Sequence, residues 1–501
     1  MEITDFSTFL LAFLLLSYLL VTGRRLISKK STGKLPPGPK KFPIVGNLPQ
    51  LALAGTLPHR AMRDLAKTYG PLMHLRLGEV SQLVVSSPEM AKEVLKTLDP
   101  MFASRPDLIL ADIMLYDNAG LTFAKYGDYW RQLKKIFATE LLSAKRVKSF
   151  RSLREEETLN TIRWISSNEG KPINMTNTLL NLVFGVLSRA TFGKKSPEQD
   201  KLVYIVNKAA ELATGGNISD LFPSIKFFRL ISVVNYKLKS MFAESNRLLD
   251  MIMKEHKKGN GSGESKDLVD VLLGYQRENA EFSLTDENIK AVLLDIFIGG
   301  TDGSFTTLDW AMSELMRAPT VLKRAQEEVR QAFETDGYID EEKFEDLKYV
   351  TSIIKETLRL HPPAPLLVPR SNDETAHILG YEVPAKSKIL VNVWAINRDP
   401  RYWEDAESFK PERFLGSSVG YKGTDFHFLT FGAGRRMCPG MVYGYANIVH
   451  PLVKLLYYFD WNLPSGIKPE ELDMTEEHGL SVKRKADLYL IPSVRNSISH
   501  L

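Results

Sequence analysis

The residues with the clearest chemical potential in this chain surround its single cysteine, Cys438. A lone cysteine excludes an internal disulfide and any zinc or iron–sulfur site built from several cysteines. Gly434 and Gly440 flank it, so the backbone can approach a flat group closely and its amides can donate hydrogen bonds to a sulfur anion. Arg436 supplies a planar guanidinium that suits a carboxylate. A thiolate, a close-approach loop and a carboxylate clamp together predict a haem-thiolate site.

The segment 431–440 resembles the haem-binding loop of the cytochromes P450, because it matches the Phe-x-x-Gly-x-Arg-x-Cys-x-Gly signature of that family at every fixed position. The resemblance implies haem b as the cofactor, with the Cys438 thiolate as the axial ligand of its iron and with Phe431 and Arg436 in contact with it. Such a thiolate pushes electron density onto the iron and favours cleavage of the O–O bond. Electrons would come from NADPH through a membrane-bound NADPH–cytochrome P450 reductase.

The same resemblance adds three cofactor-binding candidates. Trp130 and the basic residues after it suggest an aromatic and cationic clamp on the haem propionates. Many relatives have arginine four residues after the tryptophan, whereas this chain has Lys134, which keeps the charge and loses the bidentate fork. Arg370 is a further candidate for a propionate partner, and the alternative is an ordinary surface cation.

A second motif predicts structural residues behind the cofactor. Glu356 and Arg359 share one helix face, which by itself is typical of a solvated surface pair. With His361-Pro362-Pro363 close after it and Arg413 further along the chain, the pair resembles the buried Glu–Arg–Arg triad of the family. Every member of such a triad must stay paired because desolvation of a charge is costly. We therefore interpret all three residues as structural and not catalytic.

A long helix is predicted within 285–314, with Thr285 as its N-cap. Glycine occupies three of the five positions 299–303, although each mid-helix glycine costs about 1 kcal/mol relative to alanine. The resemblance supplies a reason, since in this family the helix crosses the haem and opens a groove for oxygen and substrate. In the usual small-Gly-x-acid-Thr-Thr/Ser pattern, Asp302 fills the acid position and Ser304 the final hydroxyl position.

Gly303 departs from that pattern, because it stands where a threonine hydroxyl normally helps to deliver protons. Ser304 cannot simply replace it, since adjacent helical residues point about 100° apart. Three explanations are open, and we favour the first. Water or a substrate hydroxyl occupies the gap; Ser304 serves after local unwinding of the helix; or the chemistry does not end in ordinary oxygen insertion. Asp302, Gly303 and Ser304 are accordingly the catalytic-site candidates.

The elements that must position these residues form a mainly α (α+β) domain over 41–501, with small marginal β-sheets, as in the cytochrome P450 fold. Hydrophobic residues make up 44% of the chain, enough for a large core, and no internal repeat divides it. Alternating residues within 65–85 predict a β-hairpin, and strand-like segments return at 388–394 and 487–492. The Gly- and Ser-rich segment 259–265 predicts a surface loop between helices.

The N-terminal sequence predicts a membrane anchor. Residues 3–21 are almost wholly apolar, a length of about 19 residues that is near the minimum for a spanning helix. Acidic residues precede this stretch and basic residues follow it, which keeps the catalytic body in the cytosol. We expect a transmembrane helix over 1–23, a basic and proline-rich hinge over 24–40, and single-pass insertion in the endoplasmic reticulum membrane. The net charge of +5, from 65 basic and 60 acidic residues, gives no case for nucleic acid.

Within the family, the chain is similar to plant-type members of the endoplasmic reticulum that oxidise specialised metabolites. Its pocket, placed by that resemblance, would draw on 108–115, 295–300, 364–368 and 479–482. These segments are mainly aliphatic, which predicts a hydrophobic substrate such as a terpenoid, alkaloid or phenylpropanoid. The expected activity is an NADPH- and O2-dependent monooxygenation. Gly303 leaves open an alternative, in which desaturation, oxidative cyclisation or rearrangement occurs without net oxygen insertion.

Overall fold

A computed structural model of the protein describes residues 33–55, 57–214, 217–258, 266–278, 282–334, 339–479 and 481–496. The predicted membrane anchor and most of the predicted hinge, together with the predicted loop 259–265, lie outside these residues. Within the described part of the chain, no helix has the length and apolar character needed to cross a membrane. The observed architecture is mainly α with small β-sheets, as predicted.

The predicted hairpin is present as β1 (Leu72–Leu77) and β2 (Val80–Val85), which pair antiparallel around Gly78. Gly78 has a φ of +62° and supplies the left-handed conformation that this tight turn needs. The strand β4 (Arg370–Ser371) belongs to the main sheet, whereas β5 (Ala376–Ile378) and β6 (Tyr381–Val383) form a small separate hairpin. With β7 (Lys388–Val391), the main sheet has the order β1-β2-β7-β4, and β7 runs parallel to β2.

The remaining strands are β3 (Ile173–Asn174), β8 (Phe459–Asn462), β9 (Glu476–Glu477), β10 (Lys483–Arg484) and β11 (Tyr489–Val494). They form two small sheets, one with the order β3-β11-β8 and the other with β10 beside β9.

Two predicted strands differ in their limits from those observed. The strand predicted over 388–394 ends at Val391, because the Asn392 side chain accepts a hydrogen bond from the Ala395 amide and caps a one-turn helix. The strand predicted over 487–492 is shifted to Tyr489–Val494. The Leu488 amide donates to the Thr176 hydroxyl at 2.8 Å instead of joining the sheet.

Helices account for most of the described chain. In sequence order they are α1 (Leu48–Leu53), α2 (Pro58–Tyr69), α3 (Pro88–Lys92), α4 (Ile109–Met114), α5 (Asp128–Ile136), α6 (Ala144–Ser149), α7 (Arg151–Ser166), α8 (Met175–Phe192), α9 (Pro197–Thr214), α10 (Ile218–Leu221), α11 (Lys226–Ile231), α12 (Val233–Lys258), α13 (Leu268–Glu278), α14 (Asp286–Arg317), α15 (Pro319–Phe333), α16 (Lys348–Leu360), α17 (Val393–Ile396) and α18 (Met441–Tyr458).

The central element is α14, whose 32 residues span about 48 Å. Thr285 caps it as predicted, with a capping box in which the Asn288 amide donates to Thr285 Oγ1 at 3.2 Å and the Thr285 amide donates to Asn288 Oδ1 at 2.9 Å. The helix packs along α8 and α18. Its first half joins one apolar core cluster and its second half joins another. The glycine-rich residues 298–304 lie between these two clusters.

The proline-rich segment before residue 40 packs against β1. The His74 amide donates to the Pro37 carbonyl at 2.8 Å, and a Cβ added to Gly38 would lie 2.0 Å from the His74 carbonyl oxygen. Gly38 is therefore required by close contact with β1. The predicted division between a hinge and a catalytic domain near residue 40 stays a prediction.

Candidate active site

The loop 431–440, called here the cysteine loop, is fixed by its own backbone. The Cys438 amide donates to the Phe431 carbonyl at 3.0 Å. Phe431 is half-buried and packs edge-on against Tyr421, with ring centroids 5.3 Å apart. Burial raises the pKa of the Cys438 thiol, and a hydrogen bond from the Gly440 amide to the sulfur opposes that rise. The amide thus stabilises the thiolate form that a metal ligand requires.

The loop approaches a neighbouring segment so closely at Gly434 that no side chain fits. A Cβ there would lie 2.1 Å from the Leu95 carbonyl oxygen, and the residue has a φ of +70°. The carboxylate of Asp99 lies beside it and accepts from the Arg435 amide at 2.9 Å. Asp99 also receives Arg370 at 2.6 Å. This buried aspartate ties the cysteine loop to Arg370, and no motif in the sequence pointed to it.

Arg436 and Trp130 are in direct contact. The Arg436 guanidinium lies 4.4 Å from the centroid of the Trp130 ring. Both side chains donate to the Leu121 carbonyl, Arg436 at 3.0 Å and Trp130 at 3.2 Å. Lys134 lies over the same ring at 5.2 Å, but its ammonium donates to the Arg435 carbonyl. The structure therefore brings Trp130, Lys134 and Arg436 together, as an aromatic and cationic group.

A further arginine, Arg105, is buried beside this group, and no sequence motif indicated it. Arg105 donates to the carbonyls of Thr122, Val368 and Pro369 at 2.7–2.9 Å. Burial, and then the neighbouring arginines, lower its pKa well below the ordinary value. Burial and Arg370 likewise lower the pKa of Arg436 to about 9.

The charge balance of this arginine cluster (Arg105, Arg370 and Arg436) favours a further anion. Its carboxylate neighbours are Asp99 and Asp295. Buried like charges are costly unless compensated, so a bound group with carboxylates would stabilise the cluster. The donor set thus fits the propionates of a haem.

The space around Cys438 fits the same cofactor. The Cys438 side chain has accessible surface, so its sulfur can be reached by a ligand, although burial among protein atoms raises the pKa of the thiol. On α14, a Cβ added to Gly299 or Gly303 would meet nothing within 4 Å. These two residues are one turn apart and share a helix face. An accessible thiol and an open helix face are both features that suit the close approach of a flat group.

The other residues of the glycine segment, 298–304, face different neighbours. A Cβ on Gly300 would lie 3.0 Å from a methyl group of Leu187, so this glycine serves close packing of α14 on α8 and not the open groove. Ser304 is buried, and its hydroxyl oxygen lies 3.6 Å from the position a Cβ would take on Gly444 of α18. Helix α14 is continuous through these residues. The explanation that needs local unwinding to bring Ser304 into play therefore finds no support in the structure.

Asp302 points away from Ser304, towards the turn between β9 and β10. Its carboxylate accepts a hydrogen bond from Ser481 at 3.1 Å. Burial raises the pKa of Asp302, and the Ser481 hydrogen bond opposes the rise.

The predicted triad residues are joined by short ion pairs. Arg359 donates to both carboxylate oxygens of Glu356 at 2.7 and 2.8 Å, and Arg413 donates to one of them at 2.9 Å. Glu356 and Arg359 are fully buried. Arg359 also donates to the Asn397 and Ala406 carbonyls, which lie in the segment leading towards Arg413. This geometry makes the three residues a brace between α16 and the chain before the cysteine loop.

The family model for cytochrome P450 matches residues 36–491 of the chain. The chain belongs to the cytochrome P450 family. A P450 carries haem with a thiolate ligand, which activates dioxygen when bound, and the only thiol that this chain can offer is Cys438.

Plant P450s resemble the chain over nearly its whole length. Cytochrome P450 71D10 of Glycine max is 51% identical, with 93% of this chain and 92% of the relative covered. Premnaspirodiene oxygenase of Hyoscyamus muticus is 46% identical, with coverage of 97% and 98%. Tabersonine 6,7-epoxidase isoform 1 of Catharanthus roseus is 48% identical, with 93% of each covered. These relatives place the chain among plant oxygenases of specialised metabolism, and it is a cytochrome P450 monooxygenase.

The fold agrees with solved P450 structures. A zebrafish cytochrome P450 with progesterone aligns with a TM-score of 0.76 at 24% identity, covering 87% of this chain and 100% of that one. At this identity the likeness supports the fold alone. P450s of this kind take electrons from a reductase and act on small hydrophobic substrates.

In this P450, Asp295 does not present its carboxylate as a ready substrate contact. It is buried on α14 and accepts from the Thr122 amide at 3.0 Å. A Cβ on Gly120 would lie 2.4 Å from the same carboxylate. Burial raises the pKa of Asp295 to about 6. The side chain thus anchors the loop that carries Leu121, the shared acceptor of Trp130 and Arg436.

Proposed function

We propose that this P450 inserts oxygen into a hydrophobic plant specialised metabolite, of terpenoid, alkaloid or phenylpropanoid type. The observation that carries the proposal is the open helix face at Gly299 and Gly303, which adjoins an apolar cluster. That cluster includes Ile109, Met114 and Phe297 from the segments predicted to form the pocket. An apolar wall of this kind favours a hydrophobic ligand.

The engagement of Asp295 narrows the substrate class. A cationic amine that paired with Asp295 would have to displace the Thr122 amide from its carboxylate. Leaving that buried amide without a partner would cost about 1–3 kcal/mol. We therefore propose that recognition depends on apolar contacts and shape, and that an alkaloid substrate would be held without an ion pair to Asp295.

Proton supply is proposed to involve Asp302 and a water molecule, or a substrate hydroxyl, in the space beside Gly303. The support is threefold: Gly303 faces open space, Ser304 faces Gly444, and α14 is continuous. A polar bridging group could occupy that space without moving any described side chain.

The reductase is proposed to dock beside the cysteine loop, where basic residues are exposed. Arg131 and Arg435 both lie over the ring of Tyr126, at 5.6 and 5.9 Å, and Lys135 is exposed on the same helix as Arg131. A cationic surface of this kind steers an acidic partner.

Membrane attachment is proposed at two places, the anchor predicted over 1–23 and the surface of α11 and the start of α12. There Phe227, Leu230, Val233 and Tyr236 are between 59% and 83% exposed, which is unusual for large apolar side chains. The neighbouring basic residues of α11 suit an anionic lipid surface. The proposed location is the endoplasmic reticulum membrane, with the catalytic domain in the cytosol.

The test is product profiling of membranes that contain the full chain, fed candidate metabolites with and without NADPH and reductase. A new product that needs both and is heavier by one oxygen supports the proposal. A reductase-dependent product that lacks two hydrogens would replace it with desaturation or oxidative ring closure. An isobaric product formed without electrons would replace it with a rearrangement.

A further inference from the structure

Ser481 lies in the turn between β9 and β10, and the residue after it is held at both backbone groups. The Val482 amide donates to the Pro363 carbonyl at 2.9 Å. The Val482 carbonyl accepts from the indole N–H of Trp310, on α14, at 3.2 Å. The turn is therefore fixed directly against α14, and the position of Ser481 relative to that helix is set by its neighbour's backbone.

The Ser481 hydroxyl bridges two residues of α14. It donates to Asp302 Oδ2 at 3.1 Å, and its oxygen lies 3.2 Å from Thr306 Oγ1. A hydroxyl has one proton to give, so when Asp302 is ionised Thr306 must be the donor to Ser481. Asp302 and Thr306 are four residues apart and share a helix face. The three groups form a hydrogen-bonded chain that runs from the buried Thr306 and Ser481 to the half-buried Asp302.

We infer that Ser481 is a positioning residue for the Asp302 carboxylate, which it holds on α14 from a turn far along the chain. A half-buried carboxylate without a fixed donor would sample other rotamers or turn towards water. With Ser481 in place, Asp302 Oδ2 is held by a fixed donor. The inference rests on the proposed role of Asp302 in proton supply.

The charged groups that face Asp302 are Lys483, which favours its ionised form, and Glu211, which disfavours it. Neither is as direct as the Ser481 hydrogen bond, which comes after burial as the next largest influence on the pKa of Asp302. Loss of the Ser481 hydroxyl therefore leaves the carboxylate buried with less compensation, and its pKa rises further.

The test compares full-length holoenzymes with reductase, using Ser481→Ala, Ser481→Thr and the matched control Ser313→Ala. The Ser313 hydroxyl is buried on α14, the helix that carries Asp302, and it donates to the Asp309 carbonyl of that helix. For Ser481→Ala we expect the ratio of hydrogen peroxide released to product formed to rise roughly tenfold, the size expected for one hydrogen bond to a charged group. Ser481→Thr restores coupling, and Ser313→Ala leaves it unchanged.

A second readout does not depend on turnover. Because the folded-state pKa of Asp302 is raised, its contribution to stability is present at low pH and is lost as pH rises. Ser481→Ala should therefore lower the urea midpoint of unfolding more at pH 7.5 than at pH 5. In an Asp302→Asn background, Ser481→Ala should change neither this difference nor the peroxide ratio. Thr306→Val removes the hydroxyl at the other end of this hydrogen-bonded chain. We expect it to change the peroxide ratio and the urea midpoint in the same direction as Ser481→Ala, but by less.

The outcomes separate the two proposals. If Asp302→Asn leaves the peroxide ratio unchanged, the role of Asp302 fails and this inference fails with it. If Asp302→Asn raises that ratio but Ser481→Ala does not, the inference alone is overturned. It is also overturned if Ser481→Ala has the same effect with and without Asp302, because a residue that acts through the carboxylate cannot act in its absence.

Discussion

In the cysteine loop, backbone bonds, a close contact at Gly434 and the carboxylate of Asp99 hold each turn of the chain. In the glycine segment of α14, Gly299 and Gly303 face open space, and the hydrogen bond to Asp302 comes from a turn far along the chain. The thiolate side of the site is thus fixed by many contacts that support one another. The oxygen side depends on a few groups, so its chemistry can change through single substitutions while cofactor binding is retained.

Among substitutions that test this difference between the two sides of the site, the largest effect is expected from Cys438→Ala, which removes the one thiol in the chain. We expect complete loss of turnover and of the thiolate signature in the carbon monoxide difference spectrum, with reductase and NADPH in excess. Gly440→Ala, beside the sulfur, serves as a milder comparison, since its Cβ would lie 4.0 Å from the sulfur. Retained turnover in the alanine variant would contradict the assignment of the site.

The next largest change is Asp99→Asn, which removes the charge that pairs with Arg370 and Arg435. Breaking one partner of a buried ion pair typically costs about 3 kcal/mol. We expect weaker retention of haem during purification and a lower free energy of unfolding. The control is Asp107→Asn, which breaks the exposed pair with Lys125 and should change both by little. Equal effects of the two variants would show that Asp99 does not brace the loop.

A smaller effect is expected from Asp295→Asn. The folded-state pKa of Asp295, about 6, lies above its ordinary value of 3.8, so this residue contributes stability at low pH that is lost as pH rises through 6. Between pH 5 and 7.5 the loss amounts to about 1.4 kcal/mol. Urea unfolding at these two pH values should show that Asp295→Asn removes this part of the pH dependence of the free energy of unfolding. An unchanged pH dependence would show that a group other than Asp295 is responsible for it.

The smallest expected effect is that of Gly303→Thr. We expect it to change hydrogen peroxide release by roughly two- to fivefold, which corresponds to under about 1 kcal/mol. If water replaces the missing hydroxyl, threonine should reduce hydrogen peroxide release without changing the product. Gly303→Val is the matched control, because it adds similar volume without a hydroxyl and should not improve coupling. A product of different identity from the threonine variant would indicate substrate-assisted or non-insertion chemistry.

The sequence was most informative where one short segment carries both the conformation and the chemistry. The residue types of the cysteine loop, the N-cap at Thr285 and the β1–β2 hairpin are each set within a short segment, so their types and spacing predicted them. Strand limits were less predictable. Whether Leu488 joins a sheet depends on the hydroxyl of Thr176, which is remote in sequence.

The residues that the sequence did not indicate all act through long-range contacts. Asp99 and Arg105 have no motif of their own, and their role becomes visible only when the fold brings them to Arg370 and the cysteine loop. Ser481 was included in a predicted pocket segment, but its bond to Asp302 crosses 179 positions of sequence. Gly300 is the opposite case. Its sequence pattern indicated a residue of the open groove, but it allows α14 to pack closely on α8.

The arginine cluster has a practical consequence for making this protein in a foreign host. A chain that is translated faster than the cell synthesises haem must fold with three guanidinium groups close together and two carboxylates to offset them. Ligands that bind only the native state raise its population by mass action. Yield in culture should therefore follow the supply of haem precursor more closely than the strength of the promoter, and slow induction should improve the recovery of folded enzyme.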